Sequence, residues 1–329
     1  MNIWVLGDNR AGNTNQAIAL AEELGEKYEL IELKYNYFSK LPNYFLQGRP
    51  IHIKNKLLRS LEAKPFPDII ITAGRRTAAL ALYLKRKSNN KIKLIQIMQP
   101  AVTYDEFDTV ILPYHDTLMQ ESTNVIRFTG ALTGVLPKLP LAAEELHKNY
   151  PQLEKFIAVI IGGGNKYYKF SDEDAFLLSS LLFRVNHVRK LPFFISFSRR
   201  TPNTVKLIIK SLMPDSTIIY DPKENDNLNN KDNLSNKFNP YLGMLSQATY
   251  IVSTADSISM CSDAVASGNP LYIFCPPSFK APKHQAFIDQ LVEQKIAKIF
   301  DKFTTSLEKY NYTPLNEVKK VAEIIKKKF

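Results

Sequence analysis

The stretch Ile3-Trp4-Val5-Leu6-Gly7-Asp8-Asn9-Arg10-Ala11-Gly12-Asn13 contains the pattern that determines the fold class. A short apolar run passes into a turn of small and polar residues, and apolar side chains then recur at helical spacing over residues 17–24. The same order returns at residues 156–165, where an apolar run ends in Gly162-Gly163-Gly164-Asn165. Uninterrupted apolar strands that alternate with helices are typical of parallel sheets covered on both faces. The sequence therefore predicts an α/β fold with two Rossmann-like domains, built on parallel sheets, that face a cleft.

The length and composition of the chain agree with two globular domains. Its 329 residues exceed what one ordinary core supports. Apolar residues make up 45% and charged residues 23%, which excludes a disordered or fibrous chain. A stretch with several prolines at residues 137–151 separates the two patterns. We therefore expect a first domain at residues 1–140, a second domain at residues 141–312 and a final amphipathic helix at residues 313–329.

The net charge of the chain indicates which kind of partner it can bind. A formal charge of +11 favours an anionic partner, which could be nucleic acid, acidic lipid or a phosphorylated small molecule. No helix-turn-helix, zinc or RNA-recognition motif accompanies the charge, so nucleic acid is not predicted as a partner. The lysine-rich final helix has two interpretations, a closing helix packed on a domain surface or a peripheral contact with a membrane.

Cysteine usage and apolar run lengths bear on the compartment. Two cysteines cannot form a disulfide framework, and no apolar run approaches the roughly 18–20 residues of a membrane helix. The chain opens on a strand pattern and not on the basic and apolar regions of a signal peptide. We therefore expect a cytoplasmic protein, with peripheral attachment to the inner face of the membrane through the final helix as the alternative.

Small and polar residues that follow predicted strands are the candidate phosphate ligands, because open α/β sheets bind ligands beyond the carboxyl ends of their strands. Glycines let a phosphate approach the backbone at a helix start, and the alternative is a tight turn without a ligand. Adjacent arginines at a helix start oppose the helix dipole, so they indicate a bound anion or, alternatively, salt bridges. These candidates are Gly162, Gly163 and Gly164, followed by Arg199, Arg200 and Thr201, whose triplet also occurs at residues 75–77.

A third candidate segment follows the predicted strand at residues 250–253. Asp256, Ser257 and Ser259 can contact a phosphate at the start of the next helix or simply cap that helix. Asp263, roughly two turns into the helix, can accept hydrogen bonds from ribose hydroxyl groups.

Candidates for acid–base chemistry lie in the first half of the chain. His115 and Asp116 end a predicted strand, and an adjacent acid can orient an imidazole. Asp8 is a second candidate for a base that activates an acceptor hydroxyl. The spacing of cysteines, histidines and acids matches no metal site, so we predict none.

Taken together, these motifs resemble the ELM (elongated mitochondria) family, which is known for a plant mitochondrial-fission factor. In the first half the resemblance rests on residues 7–13 with Gln16, Gly74-Arg75-Arg76, Phe107-Asp108 and Pro113-Tyr114-His115-Asp116. In the second half it rests on Gly162-Gly163-Gly164, Ser198-Arg199-Arg200-Thr201-Pro202, Asn239-Pro240-Tyr241 and Thr254-Ala255-Asp256-Ser257-Ile258-Ser259-Met260. The matching segments extend over residues 2–287.

The resemblance implies a fold and a function. Members look like GT-B glycosyltransferases, in which the first domain receives the acceptor, the second binds the nucleotide-sugar donor, and a C-terminal helix often crosses back. Bacterial members are often labelled nucleoside-diphosphate-sugar epimerases. The resemblance thus implies a glycosyltransferase or epimerase whose ligand is a nucleotide-diphosphate sugar, with an unknown acceptor and no tightly bound cofactor. The plant role implies the alternative, a non-catalytic adaptor that recruits a protein partner.

Overall fold

A computed structural model describes residues 1–41, 43–46, 48–224 and 238–329. The chain forms two compact units, one of residues 1–134 with 316–329 and one of residues 135–315. The boundary expected after residue 140 therefore falls inside the second unit. The physical reason is that the prolines of this stretch open a helix, Leu139–Asn149, which packs closely on Tyr241–Gln247 of the same unit.

The first unit contains a six-stranded sheet in which every strand pair is parallel. The order across the sheet is β2-β1-β3-β4-β5-β6. In chain order the strands are β1 (Ile3–Gly7), β2 (Tyr28–Glu32), β3 (Ile69–Ala73), β4 (Lys93–Ile97), β5 (Thr109–Pro113) and β6 (Val125–Phe128). The helices of this part of the chain are α1 (Ala11–Leu24), α2 (Asn43–Leu46), α3 (Asn55–Glu62) and α4 (Arg75–Lys87).

Both faces of this sheet are covered, as continuous apolar strands require. Successive strand residues point to opposite faces, so Ile3 and Val5 pack with α1, whereas Trp4 and Leu6 pack with α4. All five residues of β1 are buried. Because both faces of the sheet are buried, every position of such a strand is apolar, and the sequence shows no alternation of polar and apolar residues.

The second unit repeats this architecture with a second parallel six-stranded sheet, in the order β12-β11-β10-β7-β8-β9. In chain order its strands are β7 (Ile157–Ile161), β8 (Phe193–Phe197), β9 (Ile218–Tyr220), β10 (Tyr250–Thr254), β11 (Leu271–Phe274) and β12 (Ala297–Phe300). Its described helices are α5 (Leu139–Asn149), α6 (Asp172–Arg189), α7 (Asn203–Leu212), α8 (Tyr241–Gln247), α9 (Ile258–Ser267) and α10 (Pro282–Glu293).

The final helix, α11 (Glu317–Lys328), belongs to the first unit, which confirms the expected return of the C-terminus to that domain. Val318, Val321, Ala322 and Ile325 on one face of this helix are buried in the same core cluster as α1. A carboxylate oxygen of Glu317 accepts the amide of Thr129 at 2.9 Å. The packed interpretation of this helix is therefore the observed one, and its exposed side chains are mainly lysines, with Ile324 as an exposed apolar residue. Within the described ranges, none of the helices combines the length and the apolar character that crossing a membrane requires.

Candidate functional site

Each sheet has one point where the strand order reverses, and ligands of open α/β folds bind beyond the carboxyl ends of the strands there. In the first unit this switch point lies between β1 and β3, and in the second unit it lies between β7 and β10. The glycine-containing turns predicted as phosphate sites follow β1 and β7. The sequence therefore placed its candidates at both switch points.

A pocket of about 270 Å³ lies in the second unit, at the carboxyl ends of β7 and β8. It combines aromatic and aliphatic walls with a few polar groups, which is the usual composition of a small-molecule site. Lining residues include Phe197, Ser198, Arg199, Tyr220, Tyr241 and Met260. Of the predicted ligand residues, Arg199 lines this pocket directly.

The start of α9 borders the pocket, because Met260 lies in its first turn and lines the cavity. Ser257 is the N-cap, and its hydroxyl oxygen accepts the amide of Met260 at 3.4 Å. Ser259 is half-buried in the same turn, which contains no acidic residue. Helix starts present amide N–H groups that have no partner within the helix, and their partial positive charge favours an anion.

Asp263 lies one turn further along α9 than Met260, on the same face. Its carboxylate accepts a hydrogen bond from the Tyr241 hydroxyl at 2.9 Å. Burial, together with the neighbouring Asp263 carboxylate, raises the pKa of Tyr241 well above its ordinary value, so the hydroxyl stays a donor. The residue predicted to bind ribose thus lies behind a tyrosine that forms part of the pocket wall.

The glycine run after β7 binds an internal carboxylate. The amides of Gly163 and Gly164 donate to one oxygen of Asp256 at 3.1 and 3.0 Å, and the hydroxyl of Thr254 donates to the other at 2.7 Å. Asp256 is buried, and a Cβ atom on Gly162 would collide with its carboxylate. Two of the backbone amides that were predicted to bind phosphate are therefore occupied by the Asp256 side chain.

Arg200 and Thr201 stabilise the same turn. Arg200 donates to the carbonyl of Gly164 at 2.7 Å, and its guanidinium lies 3.5 Å from the Asp256 carboxylate. Thr201 is buried and donates to the carbonyl of Gly162 at 2.8 Å. Within the Arg-Arg-Thr triplet, only the first residue lines the pocket.

His284, which lies in the first turn of α10, also belongs to this edge. Its Nε2 lies 3.3 Å from the side-chain amide nitrogen of Asn165, which ends the glycine run. Burial lowers the pKa of His284, although the nearby Asp256 carboxylate acts in the opposite direction. The histidine follows β11 by ten residues and starts α10, so no local motif connects it with the glycine turn.

The switch point of the first unit is organised around Asp8. Its carboxylate pairs with Arg76 at 2.8 Å and accepts the side-chain amide of Asn13 at 3.0 Å. The Arg76 guanidinium also lies over the ring of Tyr35, 4.9 Å from its centroid. Burial and the Asp8 carboxylate raise the pKa of Tyr35. Arg75 donates to the carbonyl of Leu41 at 2.7 Å, so both arginines of this triplet have internal partners.

His115 and Asp116 lie at the carboxyl end of β5, as predicted. Arg127 stabilises their turn by donating to the carbonyls of Tyr114 and Asp116 at 2.9 and 3.0 Å. Strand β5 is three strand positions from β1, which corresponds to roughly 14 Å at the edge of the sheet. The fold therefore does not bring His115 and Asp8 into hydrogen-bond contact. Across the described ranges, the structure contains no group of three histidines, cysteines or acids that could bind a metal ion.

Comparisons with known proteins identify relatives of this chain and proteins of similar fold. An uncharacterized protein of Rickettsia prowazekii is 51% identical over 99% of this chain and 98% of its own length. The mitochondrial fission protein ELM1 of Arabidopsis thaliana is 27% identical over 82% of this chain and 66% of its own length. The structure of UDP-GlcNAc 2-epimerase from Methanocaldococcus jannaschii superposes with a TM-score of 0.64 at 11% identity, covering 99% of this chain and 100% of the epimerase.

These matches differ in what they show. The structural similarity shows the fold alone, which is the GT-B-like arrangement of two parallel α/β units shared by epimerases and a glycosyltransferase. The family model for mitochondrial fission ELM1 matches residues 11–329, nearly the whole chain. The chain therefore belongs to the mitochondrial fission ELM1 family.

Proposed function

We propose that the second unit binds the nucleoside diphosphate of a nucleotide sugar and that the protein is a glycosyltransferase or sugar-nucleotide epimerase. The observation that supports this most is the pocket of about 270 Å³ that Arg199, Tyr241 and Met260 line beside the start of α9. Ligand pockets usually measure about 300–1,000 Å³, so this cavity suits the nucleoside part of a larger ligand.

In this proposal, positively charged and N–H groups of the pocket stabilise the diphosphate as it departs from the sugar. When the bond between sugar and diphosphate breaks, negative charge develops on the leaving phosphate oxygens. Arg199 and the amide groups at the start of α9, near Ser257 and Ser259, would stabilise this charge. Asp263 would orient the ribose through Tyr241. The Asp256 carboxylate binds the glycine turn and has a structural role in this proposal.

Proton transfer would fall to a group of the first unit. Asp8 is already paired with Arg76 and accepts a hydrogen bond from Asn13, so its carboxylate is engaged within the first unit. We therefore propose His115 as the base, with Asp116 in the same turn.

Calorimetry with UDP, CDP, GDP and ADP, and then with the corresponding sugars, tests the proposal. We expect one nucleoside diphosphate to bind and the others to bind more weakly. Met260→Trp should abolish binding, because the indole would fill the pocket. Leu207→Trp is the matched control, since Leu207 is exposed on α7 and does not line the pocket. If the folded protein binds none of these nucleotides, the proposal is wrong.

A second candidate function is a non-catalytic adaptor that recruits a protein partner. The occupied glycine amides favour it, because Asp256 takes two donors that a phosphate could use. The Arabidopsis relative is named for mitochondrial fission. An adaptor should retain a stoichiometric protein partner in a pull-down, and Met260→Trp should leave that partner bound.

A further inference from the structure

We propose that exposed basic and apolar side chains of the first unit, at described positions between Lys34 and Arg59, form a peripheral binding surface for anionic membranes. The sequence between Glu32 and Glu62 contains no acidic residue. It contains six basic residues, namely Lys34, Lys40, Arg49, Lys54, Lys56 and Arg59. A segment of fewer than thirty residues thus supplies +6 of the net charge of +11.

These six basic side chains are all exposed. Within the described part of the chain, no carboxylate forms an ion pair with any of them. Their charge is therefore not neutralised inside the molecule. A cluster of Lys and Arg of this kind is attracted to the negative surface potential of anionic lipids.

The same segment exposes large apolar side chains. Tyr37 is 82% exposed, Phe38 48%, Phe45 63% and Ile51 47%. Isolated exposed apolar residues are common, but four in one short segment are not. Aromatic and aliphatic side chains beside basic ones are the composition with which proteins bind the boundary between headgroups and acyl chains.

Backbone contacts hold the two ends of this segment side by side. The Asn36 side chain donates to the carbonyl of Ile51 at 2.7 Å, and its amide donates to the carbonyl of His52 at 2.9 Å. The Lys54 amide donates to the carbonyl of Lys34 at 3.1 Å. The backbone of residues 34–36 thus lies beside that of residues 51–54, and Tyr37 and Phe38 directly follow this paired stretch.

The segment is held against the start of α4, at the carboxyl end of β3 in the first sheet. Arg75, at the start of α4, donates to the carbonyl of Leu41 at 2.7 Å. His52 lies 2.8 Å from the carbonyl of Arg76. The segment therefore contacts the start of α4, whose Arg76 pairs with Asp8. The final helix lacks this combination, because its described exposed face carries a single large apolar side chain, Ile324, and no aromatic one.

Nucleic acid is the competing partner for a basic, aromatic surface. Ile51 cannot stack on a base, and four of the six basic residues are lysines, which lack the planar group that arginine uses to read bases. Membrane insertion uses aliphatic and aromatic side chains alike. The composition therefore favours a lipid surface.

Vesicle co-sedimentation of the full chain tests the proposal. We expect binding to vesicles of phosphatidylcholine and phosphatidylglycerol in equal amounts, weak binding to phosphatidylcholine alone, and weaker binding in high salt. Lys34→Gln with Lys54→Gln should weaken binding roughly ten- to thirtyfold. Tyr37→Ser with Phe38→Ser should have an effect of similar size. These side chains are exposed, so thermal unfolding should be unchanged.

Two control variants keep the test specific. Phe303→Ser removes an aromatic side chain of the second unit that is 77% exposed, and Lys326→Gln with Lys327→Gln removes charge from the final helix. Neither control should change vesicle binding. The proposal would be overturned if all variants bound vesicles equally, or if only the final-helix variant lost binding. It would also be overturned if the protein bound RNA but did not bind the vesicles. The inference does not depend on nucleotide binding, which the surface variants should retain.

Discussion

The two switch points of this protein use the same residue types in different arrangements. In the first unit Arg76 of an Arg-Arg-Thr triplet pairs with Asp8, and in the second unit Arg200 of the other triplet lies beside Asp256. The preceding arginine differs more. Arg75 donates to a loop carbonyl, whereas Arg199 lines a pocket.

The two aspartates also differ in what stabilises them. Asp256 accepts two backbone amides and a threonine hydroxyl, so its charge is satisfied largely without Arg200. Asp8 depends on the Arg76 guanidinium and on Asn13. A side-chain ion pair between Asp8 and Arg76 thus stabilises the first switch point, whereas backbone amides that donate to Asp256 stabilise the second. In the second unit, Arg199 lines the described pocket.

The largest expected effect is on the free energy of unfolding, and it differs between Gly162, which follows β7, and Gly7, the last residue of β1. Gly162→Ala should destabilise the protein by roughly 3 kcal/mol or more, because its Cβ would displace the buried Asp256 carboxylate from its donors. Gly7→Ala is the matched control. Its Cβ would lie 3.2 Å from Cδ1 of Leu30, a side chain that can shift, so the cost should stay below about 1 kcal/mol. Urea unfolding measures both, and equal costs would contradict the difference between the two turns.

The second prediction compares the paired arginines. Arg76→Gln should cost about 2–3 kcal/mol, since both partners are largely buried and Asp8 would lose its countercharge. Arg200→Gln should cost less than about 1 kcal/mol, because the Arg200 side chain is 52% exposed and Asp256 retains its backbone donors. The free energy of unfolding of both variants in urea is the measurement. A larger loss for Arg200→Gln would reverse the proposed roles.

Much of the fold follows from the sequence because its strands are buried on both faces. Uninterrupted apolar runs identify β1, β3, β4, β5, β7, β8 and β10, and all of these are present. Strand β12 was missed, since Ala297–Phe300 contains a lysine whose side chain is only partly buried at the sheet edge. Such an edge strand lacks the uninterrupted pattern.

The candidate site was predictable only in part. Turn residues after strands can be identified locally, which located Arg199 and Ser257. Which partner each side chain takes depends on contacts between segments distant in sequence. The bond from Gly163 to Asp256 spans 93 positions, and no local pattern distinguishes a glycine that binds a carboxylate from one that binds phosphate. The pairing of Asp8 with Arg76 is hidden for the same reason.

The third prediction concerns ligand affinity. If the pocket binds a nucleoside diphosphate, Arg199→Ala should weaken the binding about tenfold or more, which corresponds to about 1.4 kcal/mol. Arg75→Ala is the matched substitution in the first unit and should leave the nucleotide affinity unchanged, because Arg75 binds loop carbonyls. Calorimetry on both variants compares the two triplets directly. Equal losses would mean that the pocket is not the nucleotide site.

The smallest expected effect is on the pH dependence of stability. It compares buried His52, which contacts the first switch point, with half-buried His284, which contacts the second. Burial lowers the pKa of His52 and of His284 below the ordinary value of 6.5. Their contribution to stability is therefore complete above pH 6.5. As the pH falls, the unfolded chain takes up protons that the folded protein resists, and stability decreases. Most carboxylates titrate at lower pH, so a window between about pH 5 and pH 7 isolates the histidines.

Within that window His52 should matter more than His284. The Nδ1 atoms of His52 and His284 are both buried without a hydrogen-bond partner among the described residues, so protonation would leave an N–H group without an acceptor in either ring. The neighbouring charges differ, because Arg75 and Arg76 lower the pKa of His52 further. His284 lies near Asp256, whose carboxylate favours the protonated form. His52→Gln should therefore flatten the decline of stability between pH 7 and pH 5 more than His284→Gln does. Urea unfolding at several pH values measures the slopes, and a steeper dependence on His284 would show that Asp256 does not offset its burial.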